Sequence, residues 1–157
     1  MLFRSEAPPG QPAQVARVVE EQATLPLFGK VKVYRPDSVR DARGVILFVS
    51  GDGGWNLGVV DMARRSATHA IVVGLSMTVW RKIAQQDPNH CWFPAGELET
   101  TSQAIEKLYE MPRYVQPILA GYSSGATLVY AVLAQAPAES FAGGRSEERR
   151  VGKECRL

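Results

Sequence analysis

One serine in the sequence lies between glycines at a spacing that would expose its hydroxyl for chemistry. Ser123 is the centre of the run Gly121-Tyr122-Ser123-Ser124-Gly125. Gly121 and Gly125 lack a Cβ atom, so a strand can turn sharply into a helix there while the serine takes a strained backbone conformation. A serine held in this way can attack a carbonyl carbon if a base takes its proton and N–H groups stabilise the oxyanion. The pattern predicts Ser123 as a nucleophile.

A second glycine-rich turn stands where an oxyanion donor is needed. It follows the apolar residues 45–49 and reads Ser50-Gly51-Asp52-Gly53-Gly54-Trp55. In the α/β-hydrolase fold, a loop at this place donates one N–H and the residue after the nucleophile donates the other. We therefore predict the backbone N–H groups of Asp52 and Ser124 as the donors, and the glycines of this run as the turn that supports them.

The glycines of this turn have two alternative explanations. They could form a plain tight connection between a strand and a helix, or they could bind a phosphate. The run lacks the Gly-Lys-Ser/Thr ending of a P-loop and the Gly-x-Gly-x-x-Gly spacing of a dinucleotide-binding turn. No nucleotide is therefore predicted as a cofactor. No metal site is predicted either, since Cys91 is the one cysteine before residue 145.

The general base is the part that the sequence does not supply. The α/β-hydrolase fold presents its catalytic residues in the order Ser, Asp or Glu, His, and no Asp or His follows Ser123. His69 and His90 precede the serine, so we interpret them as surface or structural residues. Cys91 adjoins His90, but adjacent side chains seldom point together, and we interpret this cysteine as a packing residue. We therefore expect that the chain cannot complete a triad by itself.

Three aromatic residues are candidates for lining the substrate site. Trp55 ends the second turn, Tyr122 precedes Ser123, and Trp92 lies in the run Cys91-Trp-Phe-Pro94. For Tyr122 and Trp92, packing in the core is the alternative interpretation, because large aromatic rings serve both purposes.

The elements that would position these residues alternate between strand and helix. Apolar or β-branched runs predict strands over residues 15–21, 30–35, 45–49, 70–75 and 116–121. Helices are predicted over residues 56–65, 78–85, 97–110 and 126–135. This order predicts an α/β fold, specifically a partial α/β-hydrolase fold. We expect a mostly parallel sheet with flanking helices and with the strands after the last helix missing.

The length of 157 residues suffices for one core but is short for a complete sheet of this type. Residues 1–12 are predicted to be a linker, and residues 13–142 the N-terminal part of a hydrolase domain. Residues 143–157 are predicted to be a non-native tail. Within it, residues 145–156 are dense in charge, lack periodicity, and resemble the conceptual translation of a sequencing adapter.

The charge pattern argues against a nucleic-acid partner. The formal net charge of +2 falls to zero without residues 145–157, and the remaining charges are interspersed. A phosphate backbone requires a basic stripe, which the sequence lacks. No apolar run approaches the length of a membrane span, so no transmembrane segment is predicted.

Three separated runs occur in one order along the chain. They are Leu47-Phe-Val-Ser-Gly-Asp-Gly-Gly-Trp55, Cys91-Trp-Phe-Pro-Ala-Gly-Glu-Leu-Glu99 and Leu119-Ala-Gly-Tyr-Ser-Ser-Gly-Ala126. Together they resemble the bacterial virulence protein VirJ/AcvB family, over residues 15–142. The resemblance implies a periplasmic serine hydrolase acting on an ester of a lipid, with an aminoacylated phospholipid such as lysyl-phosphatidylglycerol as its substrate.

By the same resemblance, the family's nucleophile falls on Ser123, and its acid and histidine would lie beyond Phe141. In some family members there is a link to type IV secretion, which implies secretion components as partners. The alternative from another class is a non-catalytic periplasmic binding or type IV secretion-associated module that keeps the fold without using the serine.

Overall fold

A computed structural model describes residues 17–87 and 89–147, which form a sheet of six strands with helices on both faces. The strands are β1 (Val18–Leu25), β2 (Gly29–Pro36), β3 (Val45–Val49), β4 (Ile71–Leu75), β5 (Ile118–Tyr122) and β6 (Gly143–Glu147). The helices are α1 (Leu57–Ser66), α2 (Met77–Gln86), α3 (Pro94–Leu108) and α4 (Ser124–Gln135). This architecture confirms the predicted α/β fold class with a mostly parallel sheet.

The strands lie in the order β1-β2-β4-β3-β5-β6. Strands β3, β4, β5 and β6 run parallel, while β2 is antiparallel to both β1 and β4. The chain leaves β3 for β4 on one side and later returns to β5 on the other side. In open parallel sheets, ligands bind outside the carboxyl ends of the strands at such a reversal. The two glycine-rich turns follow β3 and β5, so the topology brings both turns to this place.

The first hairpin is longer than the sequence predicts. Strand β1 continues to Leu25, which pairs with Gly29, so only three residues form the loop. The alternation of exposed and buried residues persists through Ala23 and Leu25, both of which pack in the core. Residues 15 and 16 of the predicted strand, and the predicted linker 1–12, lie outside the described residues.

Strands β3 and β4 are buried on both faces, as their continuous apolar sequences predict. One face contributes Leu47, Val73 and their neighbours to a core that α2, α3 and α4 cover. The opposite face contributes Phe48 and Val72 to a second core under α1. Among the described residues, none of the helices is both long enough and apolar enough to cross a bilayer.

Strand β6 corrects the expectation that no strand follows the elbow helix α4. Residues Gly143–Glu147 pair in parallel with β5, from Ile118 opposite Gly143 to Tyr122 opposite Glu147. Strand pairing uses backbone groups, so the open edge of β5 can accept a segment whose side chains carry no strand pattern. These residues begin the predicted tail 143–157, whose non-native origin stays a prediction, and residues 148–157 lie outside the described part.

Candidate active site

Ser123 occupies a sharp turn between β5 and α4. Its backbone has φ 55° and ψ −120°, a conformation that a residue with a Cβ adopts only at a cost in conformational energy. The residue is exposed, whereas α4 directly after it buries Gly125, Ala126 and Val129. The helix is thus anchored on the sheet while the serine stays accessible. This is the elbow geometry that the sequence predicts, and the catalytic role of Ser123 stays a prediction.

The two glycines of the elbow allow backbone segments to touch. A Cβ atom on Gly121 would lie 2.4 Å from the carbonyl oxygen of Gly125. A Cβ on Gly125 would lie 2.4 Å from the carbonyl oxygen of Val49 and 2.5 Å from that of Ser50. No side chain fits at these separations. The glycines therefore bring the start of α4 against the end of β3, which places the two glycine-rich turns side by side.

The turn after β3 is tightly fixed at Gly51. The carbonyl oxygen of Gly51 accepts the N–H of Gly54 at 3.0 Å and the hydroxyl of Ser50 at 3.2 Å. Gly54 closes this turn with a φ of 72°, which favours glycine. Because a trans peptide group directs its C=O and N–H to opposite sides, these bonds also fix the direction of the Asp52 N–H.

Ser50 also ties this turn to the neighbouring strand-helix connection. Its side chain is fully buried, and its hydroxyl oxygen accepts the backbone N–H of Met77 at 3.1 Å. A Cβ on Gly51 would lie 3.1 Å from the Cβ of Ser123, so the fixed turn contacts the candidate nucleophile directly. The sequence does not predict this role of Ser50, because no pattern distinguishes a buried serine that follows an apolar strand.

Each predicted donor directly follows one residue of this contact: Asp52 follows Gly51, and Ser124 follows Ser123. Within residues 17–87 and 89–147, no acceptor takes the backbone N–H of Asp52 or of Ser124. Ser124 is the first residue of α4, where N–H groups lack intrahelical partners and the helix dipole favours negative charge. Both N–H groups are thus available to a ligand. Their action as oxyanion donors stays a prediction.

Arg81 joins the site although the sequence did not single it out. The hydroxyl of Ser124 donates a hydrogen bond of 3.0 Å to Oδ1 of Asp52, and the guanidinium of Arg81 donates to the same oxygen. Arg81 lies on α2, one turn after the helix begins. Nothing in the sequence distinguishes it from the neighbouring Lys82, because its role depends on how α2 packs beside the turn.

Trp55 packs against the core, and its place in the substrate site stays a prediction. Its indole packs over Gly74, where an added Cβ would lie 2.5 Å from the ring, and its edge meets Phe48 at a centroid distance of 5.6 Å. Its Nε1–H donates to the hydroxyl of the buried Tyr34 at 3.0 Å. Trp55 therefore packs against the core under α1 and anchors the end of the turn after β3.

Tyr122 and Trp92 have different surroundings. Tyr122 is half-buried against the core under α1, with Cδ1 3.5 Å from the place that a Cβ on Gly51 would take. This matches the core alternative and gives Tyr122 a contact with the turn. Trp92 is half-buried in the loop between α2 and α3, with its ring centroid 4.4 Å from that of His90. Its place beside a substrate stays a prediction.

The histidines do not complete the site in the described part of the chain. His69 and His90 are exposed, and neither ring is hydrogen-bonded to Ser123 among residues 17–87 and 89–147. His90 lies 4.0 Å from the carboxylate of Asp87. Cys91 is exposed rather than packed, since it sits in the same loop. Among the described residues, no three His, Cys, Asp or Glu side chains gather as a metal site would require.

Comparison with known proteins supports the fold. No protein-family model matches the sequence. A search of curated proteins found no significant match. Similar solved structures include a carboxyl esterase from Bacillus coagulans, with 17% identity, a TM-score of 0.52, and coverage of 82% of this chain and 43% of that one.

A siderophore hydrolase from Aspergillus fumigatus has 16% identity and a TM-score of 0.52, with 87% of this chain and 43% of that chain covered. A protein assigned as a dienelactone hydrolase from Klebsiella pneumoniae has 12% identity and a TM-score of 0.52, with 77% and 56% covered. The chain therefore spans about half the length of these structures. At such identities the likeness establishes the fold, and the chain has the α/β-hydrolase fold.

Proposed function

We propose that the chain carries the nucleophile and the oxyanion donors of a serine hydrolase that cleaves carboxylic esters. The observation that supports this is the strained Ser123, at φ 55°, beside a turn whose Asp52 N–H and a helix start whose Ser124 N–H are both unoccupied among the described residues. A carboxyl esterase among the similar structures agrees with this reaction class.

The reaction follows from these groups. The Oγ of Ser123 forms a bond to the ester carbonyl carbon while its proton passes to a base. The carbonyl oxygen becomes an oxyanion, which accepts the N–H groups of Asp52 and Ser124. Collapse of this intermediate breaks the bond to the alkoxy oxygen, which takes the proton back from the base and leaves as the alcohol, and the remaining acyl-serine is later hydrolysed by water. Loss of one such donor typically slows a reaction of this kind by roughly 10²–10³-fold.

No Asp or His follows Ser123 in the sequence, so an added base takes this part in the test below. Hydrolases that lose a triad member still retain roughly 10³–10⁴-fold catalysis over water, owing to the oxyanion site and binding. We therefore expect slow acylation of Ser123 by the chain alone. Added imidazole, which can accept the serine proton in place of a histidine, should accelerate this acylation.

The test is release of p-nitrophenolate from p-nitrophenyl acetate by purified residues 1–157, with and without imidazole. The matched control is Ser123→Ala at equal imidazole, which subtracts hydrolysis by imidazole itself. The expected result is an imidazole-dependent excess in the unmodified chain together with an acetylated protein by mass spectrometry. Equal rates for both proteins would count against the proposal and favour the non-catalytic binding or secretion-associated module.

For the natural substrate we propose an aminoacylated phospholipid such as lysyl-phosphatidylglycerol, cleaved in the periplasm, with a link to type IV secretion. This rests on the resemblance of three runs to the VirJ/AcvB family, of which Ser50-Gly-Asp-Gly-Gly-Trp55 is the most specific. The lysyl ester carbonyl would be the group that Ser123 attacks. The test is lysine release from vesicles containing this lipid, with Ser123→Ala as control. If both proteins release lysine at the same rate, this substrate is rejected.

A further inference from the structure

One carboxylate oxygen connects the two candidate oxyanion donors. Oδ1 of Asp52 accepts the hydroxyl of Ser124 at 3.0 Å and also accepts the guanidinium of Arg81. The backbone N–H groups of Asp52 and Ser124 are the two donors in the proposed function. The side chain of one donor residue thus holds the side chain of the other, across a separation of 72 residues in sequence.

This connection has a geometric consequence. An oxyanion site works when its donors are already placed at the position where charge develops. The Gly51 carbonyl bonds fix the direction of the Asp52 N–H, and the start of α4 fixes that of Ser124. The contact at Gly125 brings the turn against the helix, and the hydrogen bond between the two side chains adds a direct link between the donor residues, whose spacing decides simultaneous donation to one oxygen.

The same connection has an electrostatic cost. The carboxylate of Asp52 is a negative charge next to the place where the carbonyl oxygen would become negative, and like charges repel. Arg81 donates to this carboxylate and supplies a positive charge beside it. We propose that Asp52 is a positioning residue that locks the two donors together, and that Arg81 is its counter-charge, which keeps the carboxylate from opposing the oxyanion. This rests on the proposed function.

A purely structural role for this pair is a weak explanation. The side chains of Arg81 and Asp52 are 45% and 64% exposed, and exposed ion pairs contribute little to folding stability. Arg64 on α1 makes a comparable solvent-accessible pair at 2.8 Å with Glu20 on β1, away from the two glycine-rich turns in sequence. It provides a matched control for the loss of an exposed arginine.

The experiment measures the imidazole-dependent rate at which p-nitrophenyl acetate acylates the full chain. In this step the Ser123 Oγ bonds to the acetyl carbon, imidazole takes the hydroxyl proton, and p-nitrophenolate leaves. Arg81→Ala should slow acylation about tenfold, because the carboxylate is then unpaired. Arg81→Lys, which keeps the charge, should stay within about threefold of the original rate, and Arg64→Ala within about twofold.

The double variant Asp52→Asn with Arg81→Ala separates the two roles. It removes the repelling charge but keeps an amide oxygen that can accept the Ser124 hydroxyl. The double variant should therefore be acylated faster than Arg81→Ala alone. Added salt should also raise the rate of Arg81→Ala more than that of the unmodified chain, because salt screens an exposed charge. A structural role predicts neither the recovery nor the salt response.

The outcomes separate this inference from the function on which it rests. If Ser123→Ala abolishes acylation but Arg81→Ala and the double variant match the unmodified chain, only the inference is wrong. If Ser123→Ala acylates as fast as the unmodified chain, the proposed function is wrong. Thermal unfolding of each variant confirms that a lost rate does not come from a lost fold.

Discussion

The hydroxyl of Ser124 lies 3.0 Å from the carboxylate of Asp52, so the start of α4 and the turn after β3 meet at one point. Strands β3 and β5 are parallel neighbours, and their carboxyl ends therefore lie together. Gly125 makes the meeting possible, since any side chain there would strike the backbone of β3. The site is thus a property of the sheet order as much as of either glycine-rich run.

The contact at Gly125 predicts a large cost for one methyl group. Gly125→Ala would place a Cβ 2.4 Å from the carbonyl oxygen of Val49, so the backbone must shift. We expect a loss of about 2 kcal/mol or more in the free energy of unfolding, measured by urea denaturation. Gly58→Ala is the control: in α1 the new Cβ has only the Asn56 side chain, at 4.0 Å, nearby. It should be neutral or stabilising, and similar losses in both variants would contradict the packing account.

The backbone strain at Ser123 predicts that glycine is better tolerated there than alanine. A φ of 55° costs a residue with a Cβ about 1 kcal/mol or more, and glycine avoids this cost. Ser123→Gly should therefore unfold at a higher urea concentration than Ser123→Ala. Ser140 has no positive φ, so Ser140→Ala should unfold at a higher urea concentration than Ser140→Gly. The opposite order at Ser123 would show that the elbow is not strained.

The bond between Trp55 and Tyr34 predicts that Trp55 matters for stability. Trp55→Phe leaves the hydroxyl of the fully buried Tyr34 without its partner and should cost about 2 kcal/mol in urea denaturation. Tyr34→Phe should then cost about 1 kcal/mol less in the Trp55→Phe background than alone, because their hydrogen bond is already lost. Additive costs would mean that the two residues contribute independently.

The ion pair between Glu21 and Arg35 predicts a pH dependence of stability. Arg35 donates to Oε1 of Glu21 at 2.6 Å and Tyr109 donates to the same atom at 2.7 Å; both bonds lower the pKa of the Glu21 carboxyl, Arg35 more than Tyr109. A carboxyl with a lowered folded pKa stabilises the fold above its unfolded pKa, and this stability is lost as the pH falls.

The stability advantage of the unmodified chain over Glu21→Gln should accordingly be greatest near neutral pH and shrink below about pH 4. Glu110→Gln serves as the control, since Glu110 makes no ion pair within the described residues. Urea denaturation across this range measures both differences. An advantage that stays constant with pH would show that the Glu21 contacts do not depend on its charge.

Local patterns in the sequence were sufficient for most of the fold. The apolar residues of β3 and β4 form continuous runs, and the glycines around Ser123 lie within five residues. Strands and a sharp turn can therefore be predicted there without knowledge of tertiary contacts. Helix α3 begins at Pro94, three residues before the predicted start, because proline fits the first turn of a helix. Strand β1 extends beyond its predicted end at residue 21, because the turn-like residues 25–29 favour an earlier end although the alternation of exposed and buried residues continues to Leu25.

The remaining features depend on contacts between distant elements. Arg81 meets Asp52 only because α2 follows the strand next to β3, and no local pattern marks it. The packing of Trp55 depends on Gly74, a residue of another strand that leaves the space its ring fills, and no local pattern predicts this contact. Strand β6 pairs through its backbone, which a pattern of side chains does not predict.

The most direct test of the central claim is the position of a fluorophosphonate label in the full chain, with imidazole present as the external base. The serine oxygen displaces fluoride from phosphorus, and mass spectrometry of the proteolysed chain locates the modified residue. We predict that the label lies on Ser123 and disappears in Ser123→Ala. In Ser124→Ala, which keeps the backbone N–H but loses the bond to Asp52, the label should still lie on Ser123 but form more slowly. Equal labelling of Ser123→Ala and the unmodified chain would contradict the assignment of Ser123 as the nucleophile.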